Sequence, residues 1–218
     1  MKKAVIFDLD GTLLDTLCDL TNAVNHLLRS HSFPERSARE VRSYLGNGAK
    51  HLIRCALPRE FDDETLNKYL AEYVEYYNAH SSIETKPYDG VLELLAELKQ
   101  NEISTAIVSN KPDAAVRELS LRYFGELIDF ALGDRDDIAR KPSAAPVRFA
   151  MNALGCGKAV FVGDSEVDVL TAKNAGLPCV SVTWGFRDRD QLEESGAKIF
   201  ASNSEELKKA IYESLSVE

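Results

Sequence analysis

The strongest constraint on this chain is an unbroken apolar run, Ala4-Val5-Ile6-Phe7, that stops abruptly at Asp8-Leu9-Asp10-Gly11. A strand that is apolar at every position, rather than at alternate ones, has to be covered on both faces, and helices packed on a parallel sheet provide that cover. Similar short runs recur from Ile103 to Ser109, Phe130 to Leu132, Ala159 to Gly163 and Cys179 to Thr183, with a last one from Lys198 to Phe200. Helical stripes lie between them: Val91, Leu92, Leu94, Leu95 and Leu98, then residues 115–123, 147–154 and 204–215. Strands alternating with helices predict an α/β fold built on a parallel sheet flanked by helices.

Residues 16–86 interrupt that alternation and are too many for an ordinary crossover. Leu17, Leu20, Val24, Leu27 and Leu28 recur at helical spacing, as do Leu66, Tyr69, Leu70, Tyr73, Val74 and Tyr77. The segment is therefore expected to be an inserted helical module, with residues 1–15 and 87–218 forming the sheet unit. Without an internal repeat or a Pro/Gly/Ser linker, the module is expected to pack closely on the sheet.

The 218 residues carry a formal net charge of -9. Nucleic-acid binding rests on clustered Lys and Arg, so a broad face of that kind is not expected, and an anionic ligand has to be met by a local site. Cys18, Cys55, Cys156 and Cys179 form no C-x-x-C pair, which points to reduced thiols rather than a zinc or redox site. The opening from Met1 to Phe7 briefly imitates a signal peptide, but Asp8 and Asp10 end the apolar run. No membrane association is expected, and a cytoplasmic chain is.

Asp8-Leu9-Asp10-Gly11-Thr12-Leu13-Leu14-Asp15 puts two carboxylates at the carboxyl end of the first strand, where open α/β sheets bind their ligands. Carboxylates two residues apart on a strand share a side and repel unless a cation or proton intervenes. Such crowding suits Mg²⁺, a hard ion bound by oxygen. The strand ending at Gly163 runs into Asp164-Ser165-Glu166-Val167-Asp168, and a neighbouring parallel strand would bring Asp164 beside Asp8. Ser109-Asn110-Lys111 ends another strand and Lys141-Pro142 precedes a helix, offering a hydroxyl and an ammonium for phosphate oxygens.

Each piece also has a plainer reading. Asp10-Gly11-Thr12 is good turn chemistry, Ser165 and Asp168 have capping-box spacing, and Lys141 in isolation reads as a solvated lysine. Their order along the chain is what makes them specific. Asp8 to Asp15, Ser109, Lys141 and Gly163 to Asp168 together resemble the four motifs of the haloacid dehalogenase superfamily. The helical insert, the loop Gly46-Asn47-Gly48 and the run Val182-Thr183-Trp184-Gly185-Phe186 look most like its phosphoglycolate phosphatase branch.

The resemblance implies a Rossmann-like core with an α-helical cap and a phosphatase working through an aspartyl phosphate. It assigns Asp8 as nucleophile and Asp10 as general acid and base, with Mg²⁺ on Asp8, the Asp10 carbonyl and Asp164. Asp168 would orient or join that shell. Ser109 and Lys141, with backbone N–H groups around Gly11, Thr12 and Asn110, would hold phosphoryl oxygens, and Lys141 would keep Asp8 ionised. Gly46, Asn47 and Gly48 would face the substrate. Lys50, His51 and Arg54 read as solvated, with one or more of them a candidate for a substrate carboxylate. Residues 69–77 read as cap core, and Trp184 to Phe186 as packing or loop support.

Ser143-Ala144 departs from the acidic residue and second proline common after the motif lysine, which leaves the local loop shape open. The expected substrate is a small phosphorylated metabolite, 2-phosphoglycolate above others, handled by a monomer or homodimer. Competing readings are a β-phosphoglucomutase-like transfer, disfavoured by Thr12 where that branch carries a bulkier apolar residue, a pyrophosphatase or nucleotidase, and a non-catalytic binding protein.

Overall fold

A computed structural model describes residues 2–216; residues 1, 217 and 218, assigned above to the sheet unit, lie outside that range. The opening run is β1 (Lys3–Phe7), with all four apolar residues buried. A two-residue strand, β2 (Leu14–Asp15), leads into four helices, α1 (Leu17–Ser30), α2 (Ala38–Tyr44), α3 (Ala49–Ala56) and α4 (Asp63–His80). The chain returns through β3 (Lys86–Pro87), antiparallel to β2, so the two crossings of the insert lie side by side. Asp19, buried at the start of α1, ties the return by accepting from the backbone N–H groups of Ile83, Glu84 and Thr85 and from the Thr85 hydroxyl.

Alternation then resumes with α5 (Val91–Gln100), β4 (Ser104–Pro112), α6 (Asp113–Tyr123) and β5 (Phe130–Asp134). The second half runs α7 (Ala145–Leu154), β6 (Lys158–Gly163), α8 (Glu166–Ala175) and β7 (Cys179–Val182). It closes with α9 (Arg189–Glu194), β8 (Ile199–Ala201) and α10 (Ser204–Ser216). The six long strands form one parallel sheet in the order β5-β4-β1-β6-β7-β8. Its two faces are covered as the continuous runs require. Val5 and Phe7 pack with Leu95 and Leu98 on one side, while Ala4 and Ile6 pack with Val147 and Ala150 on the other.

The insert has an apolar core of its own, including Val24, Leu27, Ile53, Leu66, Tyr73 and Tyr77, and Phe186 of the sheet unit joins it. Strand β4 runs three residues past the expected end at Ser109. The polar residues Ser109, Asn110 and Lys111 are buried there, so polarity did not mark the end of the strand. Among the described residues no helix is long and apolar enough to cross a membrane.

Candidate active site

Strand register decides which polar side chains meet. Phe7 is level with Ile107 on β4 and with Val162 on β6. Asp8 therefore leaves β1 between the ends of both neighbours, and its N–H continues the ladder to the Val162 carbonyl at 2.8 Å. Oδ1 of Asp8 accepts from the Leu9 N–H at 2.7 Å and pairs with the Lys141 ammonium at 2.9 Å. No donor among the described residues reaches Oδ2. Among the described residues the buried side-chain oxygens and nitrogens without a partner are Thr16 Oγ1, Asn110 Oδ1 and Ser181 Oγ, so Asp8 Oδ2 is not sealed in but open to a cavity that Asp8 lines.

Asp164 follows β6 and is held at both oxygens. Thr12 Oγ1 donates to Oδ1 at 3.1 Å and the Phe186 N–H donates to Oδ2 at 2.7 Å. Asp168, fully buried in the first turn of α8, accepts from the N–H groups of Asp164 and Ser165 and from the Ser165 hydroxyl on Oδ2, and from Lys141 at 2.8 Å on Oδ1. The capping box and the site thus use the two oxygens of one carboxylate. With three donors on one oxygen and an ammonium on the other, Asp168 suits orienting Lys141 and the turn, whereas each Asp164 oxygen takes a single donor and keeps a lone pair for a ligand.

Asp8, Asp164 and Asp168 each offer an oxygen within 4.8 Å of the others. With all three ionised and Lys141 the cation paired to Asp8 and Asp168, two negative charges remain in excess. Burial pushes the Asp8 carboxyl up to about 6 despite the pull of Lys141. Burial, then the charges of Asp168 and Asp8, push Asp164 well above the ordinary carboxylate range. Burial would lower the Lys141 ammonium, but the two aspartates override it and hold it above the usual lysine value. Such a donor set, all oxygen and short of positive charge, fits a hard divalent cation.

Asp10, two residues beyond Asp8, meets Lys111 from β4. Nζ of Lys111 lies 2.9 and 3.0 Å from the two Asp10 oxygens and 2.7 Å from the Tyr77 hydroxyl of α4. Ser109 Oγ accepts from the Lys111 N–H at 3.3 Å, leaving its own proton to donate. The Asn110 side-chain amide donates to the carbonyls of Gly46 and Lys141, so it ties the insert to the sheet unit.

Asp8, Asp10, Ser109, Asn110, Asp164, Gly46 and Gly48 share one cavity of about 60 Å³, whose walls also include Leu20, Leu52, Tyr73 and Val74 of the insert. Several expected site residues stand elsewhere. Asn47 does not line the cavity. Gly11 and Thr12 do not offer their N–H groups to it, because the tight turn after β1 spends them on the carbonyls of Leu14 and Leu9. Their contribution is instead to Asp164. Thr12 donates to it, and Gly11, at φ +80°, lets the backbone approach so closely that a Cβ would lie 2.4 Å from Asp164 Oδ2. Lys141 sits behind Asp8 rather than on the cavity wall. Lys50 and Arg54 pair with Asp63, and His51 contacts Cys55, all away from the cavity. The tyrosines divide, since Tyr73 and Tyr77 belong to the insert's core and also line the cavity.

Residues 5–182 match the family model of haloacid dehalogenase-like hydrolases. The chain belongs to that family. Phosphoglycolate phosphatase 1 of Pseudomonas aeruginosa is 35% identical over 215 residues, covering 95% of this chain and 79% of that protein. Phosphoglycolate phosphatase of Neisseria meningitidis is 37% identical over 203 residues, covering 89% and 86%. Among solved structures, a Lactobacillus delbrueckii subsp. bulgaricus protein assigned as a phosphoglycolate phosphatase superposes with a TM-score of 0.90 at 33% identity, over 97% of this chain and 99% of that one. CbbY of Rhodobacter sphaeroides, solved with phosphate, superposes with a TM-score of 0.76 at 25% identity, over 93% and 95%. This hydrolase stands with the phosphoglycolate phosphatase-like branch and is a phosphatase.

Two parts of the hydrolase's site were not read from the sequence. One is the pairing of Lys111 with Asp10, which needs β4 to continue past Ser109. The other is the reach of the loop after β7, whose residues Trp184 to Phe186 were expected only as packing or loop support. There the Trp184 indole donates to the Thr12 carbonyl, and Gly185 packs so tightly that a Cβ would lie 2.4 Å from Asp164 Cβ and from the Gly11 carbonyl. Arg187, buried in the same loop, pairs with Glu166 and donates to the carbonyls of Arg42 and Leu45 at the end of α2. The aromatic-glycine composition of the loop was visible; its reach to Asp164 and α2 is a tertiary property.

Proposed function

We propose that this phosphatase hydrolyses a small phosphomonoester, 2-phosphoglycolate foremost, through a phosphoryl group carried on Asp8. The observation that carries the reading is the asymmetry of Asp8, with Oδ1 pinned by the Leu9 N–H and Lys141 and Oδ2 open to the cavity. Oδ2 attacks phosphorus while the bond to the leaving oxygen breaks, giving an acyl phosphate and an alcohol. Asp10 supplies the alcohol's proton, then takes one from the water that attacks phosphorus and frees Asp8. Ser109 donates its hydroxyl proton to a phosphoryl oxygen, and Lys141 keeps Asp8 ionised and aimed.

Mg²⁺ is the proposed cation, held by Asp8, Asp164 and the Asp10 carbonyl, where it would offset the negative charge shared by nucleophile and substrate. The helical insert is the proposed cap, closing on a small substrate and keeping bulk water out, and the bonds of Asn110 to Gly46 and of Lys111 to Tyr77 hold it seated. The small cavity favours a leaving group of few atoms. The names of the two curated relatives support 2-phosphoglycolate within that class.

A phosphate-release panel at fixed Mg²⁺ tests this, comparing 2-phosphoglycolate, sugar phosphates, nucleotides and pyrophosphate. A dominant kcat/KM for 2-phosphoglycolate is expected. Equal turnover across the panel contradicts the substrate, and transfer between sugars without net phosphate release contradicts hydrolysis.

A further inference from the structure

An acidic leaving group has to find a cation in this cavity, and the walls offer little choice. Three lining residues are carboxylates, Asp8, Asp10 and Asp164, and the insert's contribution is largely apolar, through side chains such as Leu20, Leu52 and Val74. The cationic side chains on the adjoining helix α3, Lys50 and Arg54, are turned away to Asp63. Lys141 is behind Asp8. Among the described lining residues, Lys111 alone carries a positive charge.

Its place is suited to the task. Lys111 lies within hydrogen-bond distance of Asp10, the group assigned to the leaving oxygen, so a carboxylate carried on the next carbon falls within its reach. Its three donors go to the two Asp10 oxygens and to Tyr77, whose ring also lies 4.4 Å from the ammonium. A plain neutraliser of Asp10 would need only the first pair. The Tyr77 contact fixes the ammonium at the boundary of the two units, where the leaving group has to lie. Desolvation there makes a charged hydrogen bond strong.

We propose that Lys111, positioned by Tyr77, is the specificity-determining group for the leaving alcohol: its ammonium binds a carboxylate next to the scissile oxygen, giving up one of its two contacts with Asp10. The inference rests on the reading of the site as a phosphomonoesterase for small acidic esters. Because Lys111 comes from the sheet unit and Tyr77 from the insert, this subsite is complete only when the insert is seated on the sheet.

The test compares kcat/KM for 2-phosphoglycolate with that for ethyl phosphate, which keeps the two-carbon chain and lacks the carboxylate. The wild-type chain should strongly prefer 2-phosphoglycolate. Lys111→Met should cut that preference about 100-fold, the order expected for truncating one member of a buried charged pair, while any loss caused through Asp10 lowers both esters alike and cancels in the ratio. Tyr77→Phe should lower the ratio by a smaller factor, about 10-fold, and gives the same readout if Lys111→Met does not fold. A ratio unchanged in both variants overturns the role of Lys111 and leaves the phosphatase reading intact. A wild-type chain that hydrolyses the two esters equally overturns the acidic-substrate reading itself.

Discussion

Replacing Gly185 by alanine adds one carbon where there is no room for it. The new Cβ would lie 2.4 Å from Asp164 Cβ and from the Gly11 carbonyl oxygen, and 2.5 Å from Asp164 Oδ2, against an ordinary contact of 3.4 Å or more. The loop or Asp164 must therefore move by about 1 Å, and backbone on one side leaves few cheap ways to do so. The 2.7 Å bond from the Phe186 N–H to Asp164 spans that gap and is the first to be lost. Overpacking of this size costs about 1–3 kcal/mol, a fall in Tm of about 2–12 °C for a chain of this length.

Because Asp164 is a proposed cation ligand, the functional effect should exceed the loss in stability. A displacement of about 1 Å at a reacting centre costs on the order of 100-fold in rate. Phosphate release measured against Mg²⁺ concentration should show both a lower kcat and a higher Mg²⁺ requirement, with melting by calorimetry reporting the stability loss separately. Wild-type kcat and wild-type Mg²⁺ dependence in a folded Gly185→Ala variant would refute the idea that this loop sets the position of Asp164.

Lys141→Met should destabilise the chain by about 3–5 kcal/mol, since it strands Asp8 and Asp168 as buried charges without their ammonium. Urea unfolding reads this directly, and an unchanged midpoint would contradict the pairing. The metal-free protein should lose stability as pH rises. Asp8 is pushed up to about 6, so the folded form binds its proton more tightly than the unfolded one between about pH 4 and 6, and that stabilisation fades as pH climbs through the interval. The shift is worth on the order of 3 kcal/mol, it should appear as a falling Tm, and Mg²⁺ should flatten the slope; a Tm indifferent to both pH and Mg²⁺ would contradict a charge-deficient cluster.

The sheet was legible because each central strand is apolar on both faces and ends at a change of chemistry, as Phe7 to Asp8 and Gly163 to Asp164 do. Continuous burial hid the end of β4, where Ser109, Asn110 and Lys111 look like loop residues but lie under the insert. In the insert, α1 and α4 have long apolar stripes, whereas α2 has seven residues and α3 eight, too short for periodicity to declare them. Of the site, the acids were readable from spacing at strand ends. What Gly11 and Thr12 do was not, because whether an N–H is free depends on how the turn closes on Leu9 and Leu14. The Lys111–Asp10 and Phe186–Asp164 contacts join residues 101 and 22 positions apart, and local patterning carries no trace of either.

Turnover by this route requires a phosphoryl group carried covalently on Asp8. Quenching the enzyme in acid during turnover of 2-phosphoglycolate with Mg²⁺, and mapping its peptides by mass spectrometry, should find one added phosphoryl group on the peptide containing Asp8, absent from Asp8→Asn. Steady phosphate release with that peptide unmodified, or with the phosphoryl group on another residue, would contradict it.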